Sequence, residues 1–151
     1  MKLYLEEIKI TTDENQQFDF WLGEWDVFSE DNCIAYSRIE KIVGRHIILE
    51  NYEQEDSYIG KSLNYYDHYL NKWRQNWVDS VGTVGDFTGE CKDDIMRFEG
   101  ESHLRDGRKI IRLMIISRIN ENEVRQYSEK SDDDGQSWKV AYDFMYRRKQ
   151  H

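Results

Sequence analysis

From residue 25 onward, apolar and polar residues alternate in short runs, and each run ends at a polar or glycine-containing break. This period of two is that of strands with one face turned inward. The runs fall at 25–29, 34–43, 46–53, 59–67, 72–80, 86–92, 95–103, 109–119, 123–131 and 138–148, which predicts about ten strands. The breaks Asp93-Asp94, Arg105-Asp106-Gly107 and Asn120-Glu121-Asn122 have hairpin length and hairpin composition. No amphipathic helix of useful length follows Trp25. Consecutive short hairpins imply an up-and-down antiparallel meander, and a meander this long closes on itself to remove its edges. The expected fold is therefore all-β, an antiparallel up-and-down barrel of about ten strands.

One stretch breaks the pattern. Residues 18–28 carry five aromatic side chains and one glycine in eleven positions. Phe18, Trp21 and Leu22 fall at i, i+3 and i+4, so they can share one helical face. We expect a short N-terminal plug helix here, N-capped by Thr12 or Asp13 and ended by Gly23 in a left-handed conformation. Beyond it Trp25 and Val27 begin the first strand. Residues 1–12 are expected to form an arm or extra edge strand, and 13–151 the barrel domain.

The alternation also sorts side chains by face. One face of 72–79 carries Trp73, Gln75 and Trp77; one face of 61–66 carries Ser62, Asn64 and Tyr66; one face of 123–128 carries Val124, Gln126 and Ser128. Aromatics mixed with neutral hydrogen-bonding groups suit a lumen better than a dry core. A ten-stranded barrel leaves more room inside than an eight-stranded one, which just fills with side chains or holds one small ligand. Arg112, within Ile110–Ile116, needs a partner if it is buried, and Glu50, after Ile47-Ile48-Leu49, is the acid expected at similar depth. The candidate ligand-binding residues are thus Tyr66, Trp73, Gln75, Trp77, Arg112, Gln126 and Glu50, with an Arg112–Glu50 pair either orienting a ligand carboxylate or carbonyl or serving as a structural salt bridge.

Composition narrows the classes. At 151 residues the chain is expected to form one domain, and 14% aromatics speaks for a folded one. A net charge of -9 argues against nonspecific nucleic-acid binding. No apolar run is long enough to cross a bilayer as a helix. The first residues are acidic and show no signal-peptide core, and the two cysteines, Cys33 and Cys91, read as reduced thiols, so a cytoplasmic location is expected. His46, His68, His103 and His151 are scattered without metal-ligand spacing, so no metal site is expected, although His46 and His103 could meet in space. Ser131 to Trp138 fits the Asp-box pattern, a hairpin device in which Asp133 caps amides, Gly135 takes positive φ and Trp138 packs beneath the turn.

Gly23-Glu24-Trp25 after a plug, with Arg147 and Arg148 ending the last strand, resembles the calycin superfamily of lipocalins and fatty-acid-binding proteins. More specifically, Phe-Trp-Leu-Gly-Glu-Trp at 20–25, the segment from Trp73 to Asp79, Phe98-Glu99-Gly100-Glu101 and the Asp-box resemble a bacterial family of uncharacterised lipocalin-like domains, over most of the chain from residue 18. The resemblance implies a barrel whose closed end is covered by the tryptophan, with a basic residue packed on it. It implies no reaction, and the haem-ligand segment of distant nitrobindin-like barrels has no match here. The function expected is binding of a small, largely apolar or amphipathic molecule inside the barrel, with no cofactor. The alternatives are a barrel enzyme (isomerase, cyclase or lyase) using Glu50 or a histidine as acid/base, and an interaction module with a filled barrel; a homodimer is compatible with each.

Overall fold

The computed structural model describes residues 14–150. The expected arm at 1–12 and the N-cap at Thr12 or Asp13 lie outside the described residues. Ten antiparallel strands follow one another in space as in sequence: β1 (Gly23–Ser29), β2 (Asn32–Ile42), β3 (Ile47–Gln54), β4 (Ile59–Asp67), β5 (Lys72–Asp79), β6 (Val84–Lys92), β7 (Ile95–His103), β8 (Lys109–Asn120), β9 (Glu123–Ser131) and β10 (Lys139–Arg148). β1 pairs with β10, so the meander closes into a barrel without a free edge.

A short helical plug precedes β1, as expected. Its described residues form two single 3-10 turns, Glu14–Gln16 and Asp19–Trp21, where the spacing suggested one helical run. Phe18 and Trp21 are fully buried, as their spacing implies, but Leu22 is already extended and Gly23 is the first residue of β1 rather than a helix cap. Gly23 has φ +131°, and a Cβ there would lie 2.3 Å from Arg148 Nη1, so this position needs glycine for both its backbone and its neighbour. Three residues of spacing fit a 3-10 turn as well as an α-turn, which is why the pattern alone does not separate them.

The plug fills the end of the barrel where β1 begins. Phe18 stacks on Trp21 at 4.7 Å and meets Trp73 and Phe98 edge-on at 5.7 and 6.2 Å. Burying a side chain such as Phe18 contributes about 1.5–3 kcal/mol. Trp73 Nε1 donates to Gln17 Oε1 at 3.0 Å, and Lys41 reaches Asp19 at 2.7 Å, tying the plug to β5 and β2. Trp25 is fully buried, donates Nε1 to the Trp21 carbonyl at 2.9 Å, and is covered by the Arg148 guanidinium 4.2 Å from its ring. This tryptophan–arginine closure is the arrangement the calycin resemblance implies.

Other expectations meet the structure at this level. β8, apolar on both faces in sequence apart from Arg112, is deeply buried on one face only: Ile110, Met114 and Ile116 point inward, while Ile111, Leu113 and Ile115 are half-exposed on the outer wall. His46 lies in the turn before β3 at the plugged end and His103 ends β7 at the other, so they do not meet. Cys33 is exposed at the start of β2 and Cys91 is buried at the end of β6, again at opposite ends, and both are free. Burial pushes the Cys91 thiol up to about 12, so it stays protonated and unreactive. The Asp-box hairpin between β9 and β10 forms as expected: Asp133 accepts from the Ser137 amide at 2.8 Å, and Gly135 has φ +87°. Trp138 donates to the Gly135 carbonyl at 3.2 Å but remains 40% exposed rather than covered by the turn.

Candidate functional site

The half of the barrel away from the plug is hollow. A cavity of about 460 Å³ runs from mid-barrel to a mouth between the β3–β4 and β5–β6 loops, within the size range of small-molecule sites. The barrel is therefore not filled solid.

Strand register explains what lines it. On β3 the inward set is Ile48, Glu50, Tyr52 and Gln54, so depth from plug to mouth reads directly along the strand. β5 presents Trp73, Gln75, Trp77 and Asp79 in the same order. Glu50, Gln75, Trp77, Arg112 and Gln126 all line the cavity. Trp73 and Tyr66 also face inward, but one turn of the pleat too deep: Trp73 is fully buried under Phe18, and Tyr66 packs edge-on against Trp73 at 6.2 Å. They build the cavity's foundation rather than its wall.

The floor is a one-way hydrogen-bond chain. Asn64 Nδ2 donates to the Ile48 carbonyl at 3.3 Å, which fixes the amide's orientation, and to Ser62 Oγ at 2.8 Å. Ser62 therefore has its own proton for Glu50 Oε1, at 2.6 Å, while Gln75 Nε2 donates to Asn64 Oδ1 at 2.7 Å. All four residues are buried and come from three adjacent strands, with Ser62 directly opposite Glu50 on β4 and Gln75 opposite Asn64 on β5.

The expected Arg112–Glu50 ion pair does not form. Arg112 donates Nε to Ser102 Oγ at 2.9 Å, on neighbouring β7, and makes no ion pair among the described residues. Glu50 is only 3% exposed and has no cationic partner; burial raises its carboxyl to about 7, against a smaller opposing effect of the Ser62 hydrogen bond. Each group has found a neutral serine on an adjacent strand, directly opposite for Glu50 and one diagonal step away for Arg112. Lys130, directly opposite Arg112 on β9, also lines the cavity and also makes no ion pair.

The upper walls are aromatic. Tyr52 meets Tyr58 and Trp77 edge-on at 6.3 and 6.4 Å, and on the other side Tyr142 stacks on Phe144 at 4.6 Å. At the rim Asp79 Oδ2 accepts from Tyr58 Oη at 2.7 Å and Trp77 Nε1 at 3.0 Å. Burial opposes the charge on Asp79, but these bonds and those from the Thr83 and Val81 amides hold its carboxyl below the ordinary value. Tyr142 accepts from Gln126 Nε2 at 3.1 Å and lies in the fields of both Glu50 and Arg112, so it spans the two walls.

Sequence reasoning missed Ser62, Asn64, Lys130 and Tyr142 as site residues. Lys130 shares the parity of Gln126 and Ser128, so the signal was present. Tyr142 shares that of Tyr146 and Phe144. Among the described residues no group of side chains is arranged to hold a metal ion, and no helix is long and apolar enough to cross a membrane. Compared with known protein-family models and with curated proteins, the chain matches none. The closed ten-stranded antiparallel barrel is consistent with a calycin-like fold.

Proposed function

We propose that this barrel binds a small amphipathic molecule in its open half, with the apolar body between the Trp77 and Phe144 walls and a carboxylate or carbonyl oxygen on Arg112. The observation that carries this reading is an Arg112 guanidinium that lines an aromatic cavity of about 460 Å³ and makes no ion pair among the described residues. Burying a cation without a counter-charge is costly, and an incoming oxygen acceptor relieves that cost. Gln75 and Gln126 add neutral polar contacts, and Tyr66 and Trp73 act one layer below by holding the floor in place. Lys130 at the rim favours anionic ligands over cationic ones.

The test is a titration with 1-anilinonaphthalene-8-sulfonate, followed by displacement with fatty acids, retinoids, tetrapyrroles and flavins. Probe fluorescence should rise on binding, and intrinsic tryptophan emission should change because Trp77 lines the site. Arg112→Gln should weaken anionic members roughly tenfold or more relative to neutral ones, the scale of a charged hydrogen bond. If neither emission nor melting temperature responds to any member, the reading fails.

A further inference from the structure

Resting on the binding reading above, we propose that the cavity is also an acid–base site, in which Glu50 exchanges a proton with a carbon next to a carbonyl of the bound molecule while Arg112 holds that carbonyl's oxygen. Three features of the geometry point there. Glu50 lines the cavity yet is almost wholly buried, so its carboxyl meets a ligand with little competing water. Its surroundings are neutral: Ser62, Asn64 and Gln75 orient it without supplying charge, and a glutamine would accept the same Ser62 bond at far lower burial cost. Arg112, which like Lys130 lines the cavity without an ion pair among the described residues, is not bonded to Glu50, which separates a base from a group able to stabilise negative charge.

The chain assigns roles to the two carboxyl oxygens. Oε1 accepts the Ser62 proton, so Oε2 is the atom that takes and returns a proton. In the forward step the carbon–hydrogen bond breaks, the proton moves to Oε2, and the electron pair shifts through the carbon onto the carbonyl oxygen as an enolate. The Arg112 N–H groups stabilise that oxygen. Return of the proton to the same carbon gives exchange; return to a carbon conjugated with it gives an isomer. Nothing is oxidised or reduced and no co-reactant is consumed.

Glu50 is the group that titrates near neutrality in this setting. Tyr52 on its own strand and Tyr142 and Tyr146 on β10 feel its charge, and burial first, then Glu50 itself, raises Tyr52 and Tyr146; for Tyr142 burial is again the main cause. These phenols stay neutral, and Ile39, opposite Glu50 on β2, does not titrate. Among the described residues no histidine lines the cavity.

The experiment follows loss of the C1 protons of 2-tetralone in deuterium oxide by proton NMR, with the full chain. The protein should accelerate exchange by about 10² or more over carboxylate buffer of equal concentration, the scale of a positioned general base. The rate should rise with pH through about 7 as Glu50 ionises. Glu50→Gln should return it to the buffer rate while the fold persists. Ser62→Ala should retain exchange but move the midpoint upward, since the Ser62 bond favours the ionised form; a purely structural Glu50 would show no such shift. If 2-tetralone changes tryptophan emission but exchange equals buffer, or survives Glu50→Gln, the acid–base role is overturned and the binding reading stands. Absence of both emission change and exchange overturns both.

Discussion

Trp77 of β5 occupies the space over Gly60 of β4, two residues along from its register partner Ser62: a Cβ built on Gly60 would fall 2.1 Å from the indole Cζ2 and Cη2 atoms. The same ring has its nitrogen on Asp79 at 3.0 Å and Tyr52 at its edge, so it can yield only toward the cavity, at the cost of these contacts. Gly60→Ala should therefore destabilise the protein by about 1–3 kcal/mol through overpacking, and should shift tryptophan emission as the ring is driven toward the cavity. Chemical denaturation with emission-spectrum readout checks both.

The closed end depends on one side chain reaching three elements. Arg148 lies over Trp25, donates Nη1 to the Leu22 carbonyl at 2.9 Å and Nε to the Glu121 carbonyl at 3.1 Å. Arg148→Ala should cost about 1–3 kcal/mol, measured by thermal or urea unfolding. Arg148→Lys should recover less than half of it, because an ammonium keeps the charge over the ring but cannot present two separate N–H directions to two carbonyls.

The strands were legible because a barrel with one wet and one enclosed face imposes a strict period of two on every strand. The expected runs 59–67, 95–103 and 123–131 coincide with β4, β7 and β9. Whether Glu50 and Arg112 face the lumen was open in the residue pattern, which offered them as a pair without fixing their direction; the structure lines the cavity with both. Their partners were not legible either. Glu50 bonds Ser62 and Arg112 bonds Ser102, both across a ladder, and such pairs depend on register, which is set by hairpin loops whose length a residue pattern gives only to within one or two positions. Depth along the barrel was likewise hidden: Trp73 and Trp77 have the same parity, and only the plug, by filling one end, makes one of them floor and the other wall.

Asp79 organises the mouth with both oxygens engaged. Oδ2 takes Tyr58 and Trp77, and Oδ1 takes the Val81 and Thr83 amides at 3.0 Å each. Every one of these partners is a donor, so Asp79→Asn must turn an NH₂ group toward two of them and should lose nearly as much as Asp79→Ala, about 1–2 kcal/mol at this half-exposed site. Hydrogen exchange should show the Val81 and Thr83 amides losing protection in Asp79→Ala, with the floor residues unaffected.

The Glu50 carboxyl sets a stability trend opposite to the usual acid-labile one. Its proton affinity is higher in the folded chain, about 7, than the ordinary 4.5 it regains on unfolding. Below pH 4.5 it is protonated in both states and the fold bears no penalty. Between 4.5 and 7 the unfolded chain ionises while the folded one retains its proton, so the unfolded state gains and stability falls as pH rises; above 7 the full cost applies. The size is about 3 kcal/mol. Glu50→Gln keeps an acceptor for Ser62 and removes the titration, so its advantage over wild type should be small at pH 4.5 and grow to about 3 kcal/mol by pH 8. Urea midpoints for the two proteins across pH 4.5–8 measure that difference directly, with other titrating groups common to both. A constant difference across the range would mean that Glu50 is solvated in the folded barrel, and its place in the cavity floor would have to be abandoned.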